Sequence, residues 1–280
     1  MDKFLIVDGH NLLFQMFYGM PSRITNKDGK AIQGTLGFVG ALLKIIRMTE
    51  PSHLIVLFDG EHENDRTNLD PQYKANRSDD LRMSEENNPF SQLPDIYDAL
   101  DFLGIKHIEA SEFEADDVIA SYSLSYGKDM KIIISSFDSD FFQLIDDNIS
   151  VLRYRGDKTV LCDLEYIQNK YGIVPKQYVD FKSLTGDNAD NIKGADKIGP
   201  KTASQLLCEF GTIDNIIENS EKIKKPSIQD SIMRNVERLK TNQKLIHLDN
   251  KAKPPFYIDE LFYSYNGITT NHVLSGIGIK

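Results

Sequence analysis

Three strongly apolar segments of this chain each run straight into aspartate, and that repetition constrains the fold more than any other feature of the sequence. Lys3 to Val7 stops at Asp8-Gly9-His10-Asn11, His53 to Phe58 stops at Asp59-Gly60, and Lys131 to Ser135 runs into Ser136-Phe137-Asp138-Ser139-Asp140. Each reads as a short apolar strand. Between them lie segments with apolar residues at helical spacing: Leu12 to Tyr18, Gly34 to Met48 and Leu93 to Leu103. A weaker strand, Ile105 to Ile108, leads to Glu114-Ala115-Asp116-Asp117. Strands alternating with helices predict an α/β fold with a mainly parallel sheet flanked by helices, in which ligands bind beyond the carboxyl ends of the strands.

One aspartate at a strand end is commonly a helix cap or a turn residue. Three of them, joined by the three carboxylates of residues 114–117, point to a shared polyvalent cation. Alone, that cluster is equally well explained as acidic residues facing the positive end of a helix dipole. A regular helix through all four residues would place Glu114 beside Asp117 and swing Asp116 away. The helix is therefore expected to begin near Ala115, so that Glu114 and Asp116 can share one basin. Two or more magnesium or manganese ions suit such ligands, because hard cations take oxygen donors. A pair of ions about 4 Å apart can activate a water and stabilise the leaving oxygen of a phosphodiester. Cys162 and Cys208 match no metal spacing, and His10 reads as a capping, hydrogen-bonded or merely exposed residue.

A net charge of -10 ordinarily argues against a polyanionic partner. Nine carboxylates belong to the candidate metal set, however, and the remainder of the chain is close to neutral, which leaves room for a local basic face. The 40% hydrophobic content over 280 residues supports a substantial core. No apolar run reaches the length of a membrane span and the start lacks a signal-peptide profile, so a cytoplasmic location with no membrane partner is expected.

From Glu61 to Pro94 the sequence turns polar and lacks a core pattern, as in a surface insertion or a functional lid. Within it, Lys74 and Arg77 stand at i and i+3, which alone reads as a solvated helix face. A hairpin from Ile149 to Cys162 closes a first region, 1–162. The second, 163–280, is mostly helical, with Ser227 to Leu248 expected as one long helix. It carries Gly186-Asp187-Asn188-Ala189-Asp190-Asn191, where Asp187 and Asp190 can face one way, although so many Asp, Asn and Gly residues also suit a turn. Gly194 to Ala203 follows, with the layout of a glycine-containing hairpin between short helices. Backbone amides at such a turn can hold a DNA phosphate without reading bases, and Lys193, Lys197 and Lys201 add positive charge.

Taken together, Ile6-Val7-Asp8-Gly9, Phe58-Asp59-Gly60, Tyr73-Lys74-Ala75-Asn76-Arg77, Glu114-Ala115-Asp116-Asp117, Asp138-Ser139-Asp140, Gly186 to Asn191 and Gly199-Pro200-Lys201-Thr202-Ala203 resemble, in order and spacing, the bacterial 5'-nuclease family of flap endonucleases and 5'-3' exonucleases. The resemblance implies a PIN-like nuclease core with an arch at about 61–94 and a helix-hairpin-helix region that grips duplex DNA. It implies a first metal site of Asp8, Asp59, Glu114, Asp116 and Asp117, and a second of Asp138, Asp140, Asp187 and Asp190. Lys74 and Arg77 match the arch residues that polarise the scissile phosphate, and Tyr73 lies beside them against the DNA. Phe14 matches an aromatic that stacks on a terminal base. Lys193, Gly194, Lys197, Gly199, Lys201 and Thr202 fall in the DNA-gripping hairpin, with Gly194 and Gly199 shaping a potassium site built largely from backbone carbonyls. Two departures stand out: Gln15 occupies a position where relatives commonly carry arginine, and the stretch after Arg77 is unusually acidic.

The function implied is a metal-dependent, structure-specific 5' nuclease of DNA replication and repair, acting as a monomer on branched or 5'-ended DNA (flap, nick or overhang), with RNA-primed DNA as a further substrate. A structure-specific DNA-binding module without catalysis and a PIN-type ribonuclease are the alternatives. A haloacid-type phosphatase is disfavoured, because its Asp-x-Asp pair belongs where this chain has Asp8-Gly9-His10.

Overall fold

A computed structural model describes residues 1–20, 22–60, 65–75 and 88–279. Strands β1 (Lys3–Asp8), β2 (His53–Asp59), β3 (Lys106–Ala110), β4 (Lys131–Ser135), β5 (Ile149–Arg153) and β6 (Val160–Cys162) form one sheet in the order β3-β2-β1-β4-β5-β6. Every neighbouring pair is parallel except the β5–β6 hairpin. The chain builds outward from β1 through β2 to β3 and then crosses back to β4 on the other side of β1. The order of connection reverses between β1 and β4, the place where sheets wound in this way leave a crevice at the carboxyl ends of their strands.

Alternation along the central strands gives each face its own core. Leu5, Val7, Leu54, Val56 and Phe58 pack under α1 (Gly9–Gly19), α2 (Gln33–Thr49) and, beyond the short α3 (Asp65–Leu69), α4 (Leu93–Phe102). Phe4, Ile6, Ile55, Leu57, Ile132 and Ile134 point the other way, toward Val118, Ile119 and Tyr122 of α5 (Ala115–Tyr126). This second core runs without a break into the helical region, where it takes in Ile167, Phe181, Leu206 and Ile216.

That region comprises α6 (Leu164–Tyr171), α7 (Tyr178–Thr185), a hairpin of two-residue strands β7 (Gly186–Asp187) and β8 (Ile192–Lys193), then α8 (Pro200–Phe210), α9 (Ile213–Glu218), α10 (Pro226–Arg234) and α11 (Val236–Ile246). The long helix expected over Ser227 to Leu248 is two helices. Asn235 interrupts it: the residue is buried, leaves helical geometry, and turns its side-chain amide back onto the Ser231 carbonyl at 2.7 Å. The last thirty residues return to the sheet instead of extending the helical region. The Tyr263 amide donates to the Ser52 carbonyl at 2.9 Å, and Val273 of α12 (Thr270–Gly276) joins the core beneath α2 and α4. No helix among the described residues is long and apolar enough to cross a membrane.

Candidate active site

The strand-end aspartates are caps and cluster members at once. Asp8 ends β1 and starts α1, accepting the Asn11 amide on Oδ1 at 3.0 Å, while its Oδ2 accepts the Ser136 hydroxyl at 2.8 Å. The same hydroxyl oxygen accepts the Asp138 amide at 3.0 Å, and Asn11 Oδ1 accepts the Phe137 amide at 2.9 Å. The ends of β1 and β4 are thereby fixed to each other. Arg153 braces the β4 loop from β5, donating to the Phe137 carbonyl at 2.8 Å with its guanidinium 4.5 Å from the Phe142 ring centre. Asp59, at the end of β2, accepts the Ala115 amide at 2.8 Å and so caps α5 from a neighbouring strand. Glu114 is extended (φ -64°, ψ 147°), and the helix begins at Ala115 as the sequence leads one to expect.

Asp8, Asp59, Asp116 and Asp138 come within electrostatic reach of one another in the crevice. Burial, followed by repulsion from Asp59 and Asp138, pushes the Asp8 carboxyl up to about 7 against the opposing Asn11 and Ser136 hydrogen bonds. Burial and the charges of Asp138, Asp59 and Asp8 hold Asp116 well above the ordinary carboxylate range. Asp59 moves the other way: burial would raise it, but His10, the Ala115 amide and Lys74 together bring it below its ordinary value. His10 accepts the Asp59 amide on Nδ1 at 3.3 Å, and that nitrogen is 3.8 Å from Asp59 Oδ2. Its ring is caged by Phe58, Phe90 and Phe14, at centroid distances of 5.4, 5.2 and 6.4 Å.

Glu114 and Asp117 are placed differently from Asp116. Arg66 of α3 binds both carboxylates, reaching Asp117 Oδ1 at 2.7 Å, and also donates to the His247 carbonyl at 3.0 Å. Asp117 Oδ1 further accepts the Asp249 amide at 2.7 Å, and Glu114 Oε1 accepts Lys74 Nζ at 3.1 Å. These two acids hold the base of the polar excursion against α5, whereas Asp116 faces the strand-end aspartates.

A second group adjoins the first through Asp138, whose Oδ1 accepts the Asp140 amide at 2.8 Å. Asp140, Asp187 and Asp190 bring carboxylate oxygens within 4.8 Å of one another. Lys182 of α7 reaches into this trio and bonds both Asp140 and Asp187. Burial would lower its pKa, but attraction to Asp140, Asp138 and Asp187 prevails and keeps it charged. All donors in both groups are carboxylates, and burial with mutual repulsion makes Asp8, Asp116 and Asp140 hold their protons more tightly than ordinary carboxyls. That donor set fits hard divalent ions such as magnesium or manganese.

Of the remaining candidates, Phe14 is half-buried in a row of rings with Tyr18 and Phe90, at 6.0 and 5.3 Å. Gln15 donates to the Tyr154 carbonyl at 2.5 Å, a link between α1 and the end of β5. Lys193, Lys197, Gly199 and Lys201 are exposed along one run, while Thr202 is half-buried at the start of α8. Gly194 meets a close approach: a Cβ there would collide with the Leu184 carbonyl and the Gly186 amide. Tyr73, expected against the DNA, is instead buried against Ile192, Leu245 and Ile246, and Arg77 lies outside the described residues. Arg66 and Lys182 were not recognised in the sequence. Lys182 did leave a signal, since a lysine between Phe181 and Leu184 in an apolar helix has to be paired when buried.

The raised carboxyls carry a testable consequence. A group whose pKa is higher folded than unfolded contributes stability that is complete below about pH 4 and is lost as pH rises through its folded value, here about 7 for Asp8. Without divalent ions, the melting temperature is expected to fall between about pH 5 and pH 8. Magnesium or manganese should restore several degrees at the upper end and almost nothing at the lower, with protons released on binding. Melting curves with and without ion at both pH values check this; equal gains at both would contradict it.

A PIN-like, mostly parallel sheet joined to a SAM-like helical region, with acids gathered at the strands' carboxyl edge, is the arrangement of a 5' nuclease. The chain belongs to the 5'-3' exonuclease family: residues 3–172 match the model of its N-terminal resolvase-like domain and residues 173–267 that of its C-terminal SAM fold. Among curated relatives, it is 35% identical over 238 residues to thermostable DNA polymerase I of Thermus filiformis, covering 85% of this chain and 27% of that protein. It is 31% identical over 274 residues to DNA polymerase I of Streptococcus pneumoniae, covering 94% of this chain and 30% of that one. The chain thus spans under a third of the length of these relatives. In fold it is similar to the 5'-exonuclease of T5 with bound zinc ions, with a TM-score of 0.73, 24% identity, and coverage of 88% of this chain and 89% of that one. The catalytic core of Rad2 in complex with DNA substrate gives a TM-score of 0.59 at 16% identity, covering 99% of this chain and 92% of that one.

Proposed function

We propose that this chain is a divalent-metal-dependent, structure-selective 5' nuclease that hydrolyses phosphodiesters of flapped, nicked or overhanging DNA, including RNA-primed DNA, during replication and repair. The observation that carries the reading is the convergence of Asp8, Asp59 and Asp138, at or just past the ends of neighbouring strands, with Asp116 from the first turn of α5, next to the Asp140, Asp187 and Asp190 trio and within reach of Lys74. Magnesium or manganese bound there supplies Lewis-acid stabilisation and a nucleophilic water. In this reading Asp8, Asp59 and Asp116, with Glu114 and Asp117 behind them, form the first site, and Asp138, Asp140, Asp187 and Asp190 the second.

Lys74, which now bonds Glu114, turns its ammonium to the scissile phosphate and offsets charge as the bond breaks, a role shared by Arg77. Tyr73 fixes the backbone that carries Lys74. Phe14 stacks on the terminal base, extended by the exposed Tyr18. Lys193, Lys197, Lys201 and Thr202 hold phosphates of the duplex, while the turn between Gly194 and Gly199 presents carbonyls to a potassium ion. The protein works as a monomer, in the cytoplasm with the DNA.

Labelled flap, nicked and overhang duplexes incubated with magnesium or manganese should yield 5' products, and a chelator should stop the reaction. Replacing the 5' strand by RNA separates a deoxyribonuclease from an RNA-cleaving relative. Persistent binding without product in either ion would reject catalysis and leave a DNA-binding module.

A further inference from the structure

Lys74 owes its place to the loop that carries Asp187 and Asp190. Among the described residues, hydrogen bonds on either side of Tyr73 join the polar excursion to that loop. Asn191 Nδ2 donates to the Gln72 carbonyl at 2.8 Å, and the Lys74 amide donates to the Asp190 carbonyl at 3.1 Å. Between them the Tyr73 ring, 6% exposed, is buried against Ile192, Leu245 and Ile246, the first from β8 and the others from α11. Lys74 itself has φ +53°, a conformation that L residues seldom hold without outside support. From that backbone its ammonium spans to Glu114.

We infer that Asn191 is a positioning residue that acts through Lys74: its side-chain amide latches the base of the excursion to the acidic hairpin and so sets where the Lys74 ammonium sits. The inference rests on the reading above that Lys74 serves the scissile phosphate. It adds a coupling that reading does not contain. Asn191 lies next to Asp190 and three residues before Gly194, so the acid that would hold an ion and the hairpin that would hold a phosphate share the short loop that fixes the Lys74 backbone. Displacing a catalytic group by about 1 Å costs on the order of a hundredfold in rate, so a two-point attachment of this kind governs turnover far more than affinity.

A plainer account is available, since Asn191 has φ +58° and asparagine tolerates that region better than most residues. Asn191→Gly separates the two, because glycine adopts this backbone conformation without steric cost and lacks the side-chain amide of the latch. Asn191→Asp keeps shape and backbone tolerance but turns an acceptor toward the Gln72 carbonyl. If only the turn mattered, both variants would cleave like the wild type.

The test is a double-mutant cycle on single-turnover flap cleavage in magnesium, with rate and half-saturating enzyme concentration read separately. Asn191→Gly and Asn191→Asp are expected to slow the maximal rate about tenfold or more, with half-saturation changed less than about twofold. Lys74→Ala is expected to slow it about a hundredfold. In the Lys74→Ala background, adding Asn191→Gly should change the rate less than about twofold, because its route of action is gone. Equal losses from Asn191→Gly in both backgrounds would overturn the latch and leave the role of Lys74 standing. Wild-type cleavage by Lys74→Ala would overturn both that role and the latch. Should Asn191→Gly fail to fold by thermal melting, Asn191→Asp is carried through the same cycle and read by the same criteria.

Discussion

Asp116→Ala is expected to slow single-turnover cleavage roughly a thousandfold while changing DNA affinity less than about twofold, with Asp138→Ala close behind. Asp116 sits on the first turn of α5, half-buried and within reach of Asp138, Asp59 and Asp8, so that its charge is opposed by three like charges. Such a carboxylate is costly to the protein by itself and useful only with a cation. Its removal should therefore stabilise the ion-free protein at about pH 8, where the native group pays most for ionising. Rate and melting temperature then move in opposite directions, which a residue kept for packing would not produce. Asp138 differs in that it also accepts the Asp140 amide, so Asp138→Asn is the cleaner variant at that position. Undiminished turnover in either alanine variant would sink the assignment of this crevice as the catalytic centre.

The sheet and its acidic edge were legible because both rest on local chemistry. An apolar run followed by aspartate suits a strand end, and three repetitions place Asp8, Asp59 and Asp138 on the same edge from sequence alone. The start of α5 at Ala115 was also readable, from the way four consecutive residues must be distributed around a helix. What could not be read was pairing across long sequence distances. Arg66 meets Glu114 and Asp117 from 48 and 51 residues away, and Asn191 meets Gln72 from 119. No periodicity encodes such contacts. The break at Asn235 was missed for another reason: the apolar spacing of Ile228, Ile232, Leu239, Leu245 and Ile246 runs through it, and only the backbone-seeking side chain of one asparagine signals the interruption. Gln15, seen only as a missing arginine, turned out to join α1 to Tyr154.

Lys182→Met is expected to destabilise the ion-free protein by about 3–5 kcal/mol near pH 8, the scale for removing one partner of a buried ion pair. The Lys182 side chain is 7% exposed and bonds both Asp140 and Asp187, so its loss leaves these two carboxylates beside Asp190 without the lysine's charge. Methionine keeps the length of the side chain, which confines the change largely to charge. The sign with pH follows from Asp140, whose carboxyl is already raised by burial and by Asp138 in spite of Lys182. Without Lys182 it rises further, so the variant recovers stability as pH falls and the carboxyl takes up a proton. A divalent ion offers the same relief at high pH. In the wild type, an ion entering the trio has to share Asp140 and Asp187 with the lysine; in the variant it does not. Magnesium or manganese should therefore raise the urea midpoint of Lys182→Met by more than that of the wild type, and more at about pH 8 than at about pH 6. A loss below about 1 kcal/mol, or an ion response no larger than the wild type's, would mean that Lys182 is not the counter-charge that holds these three acids together.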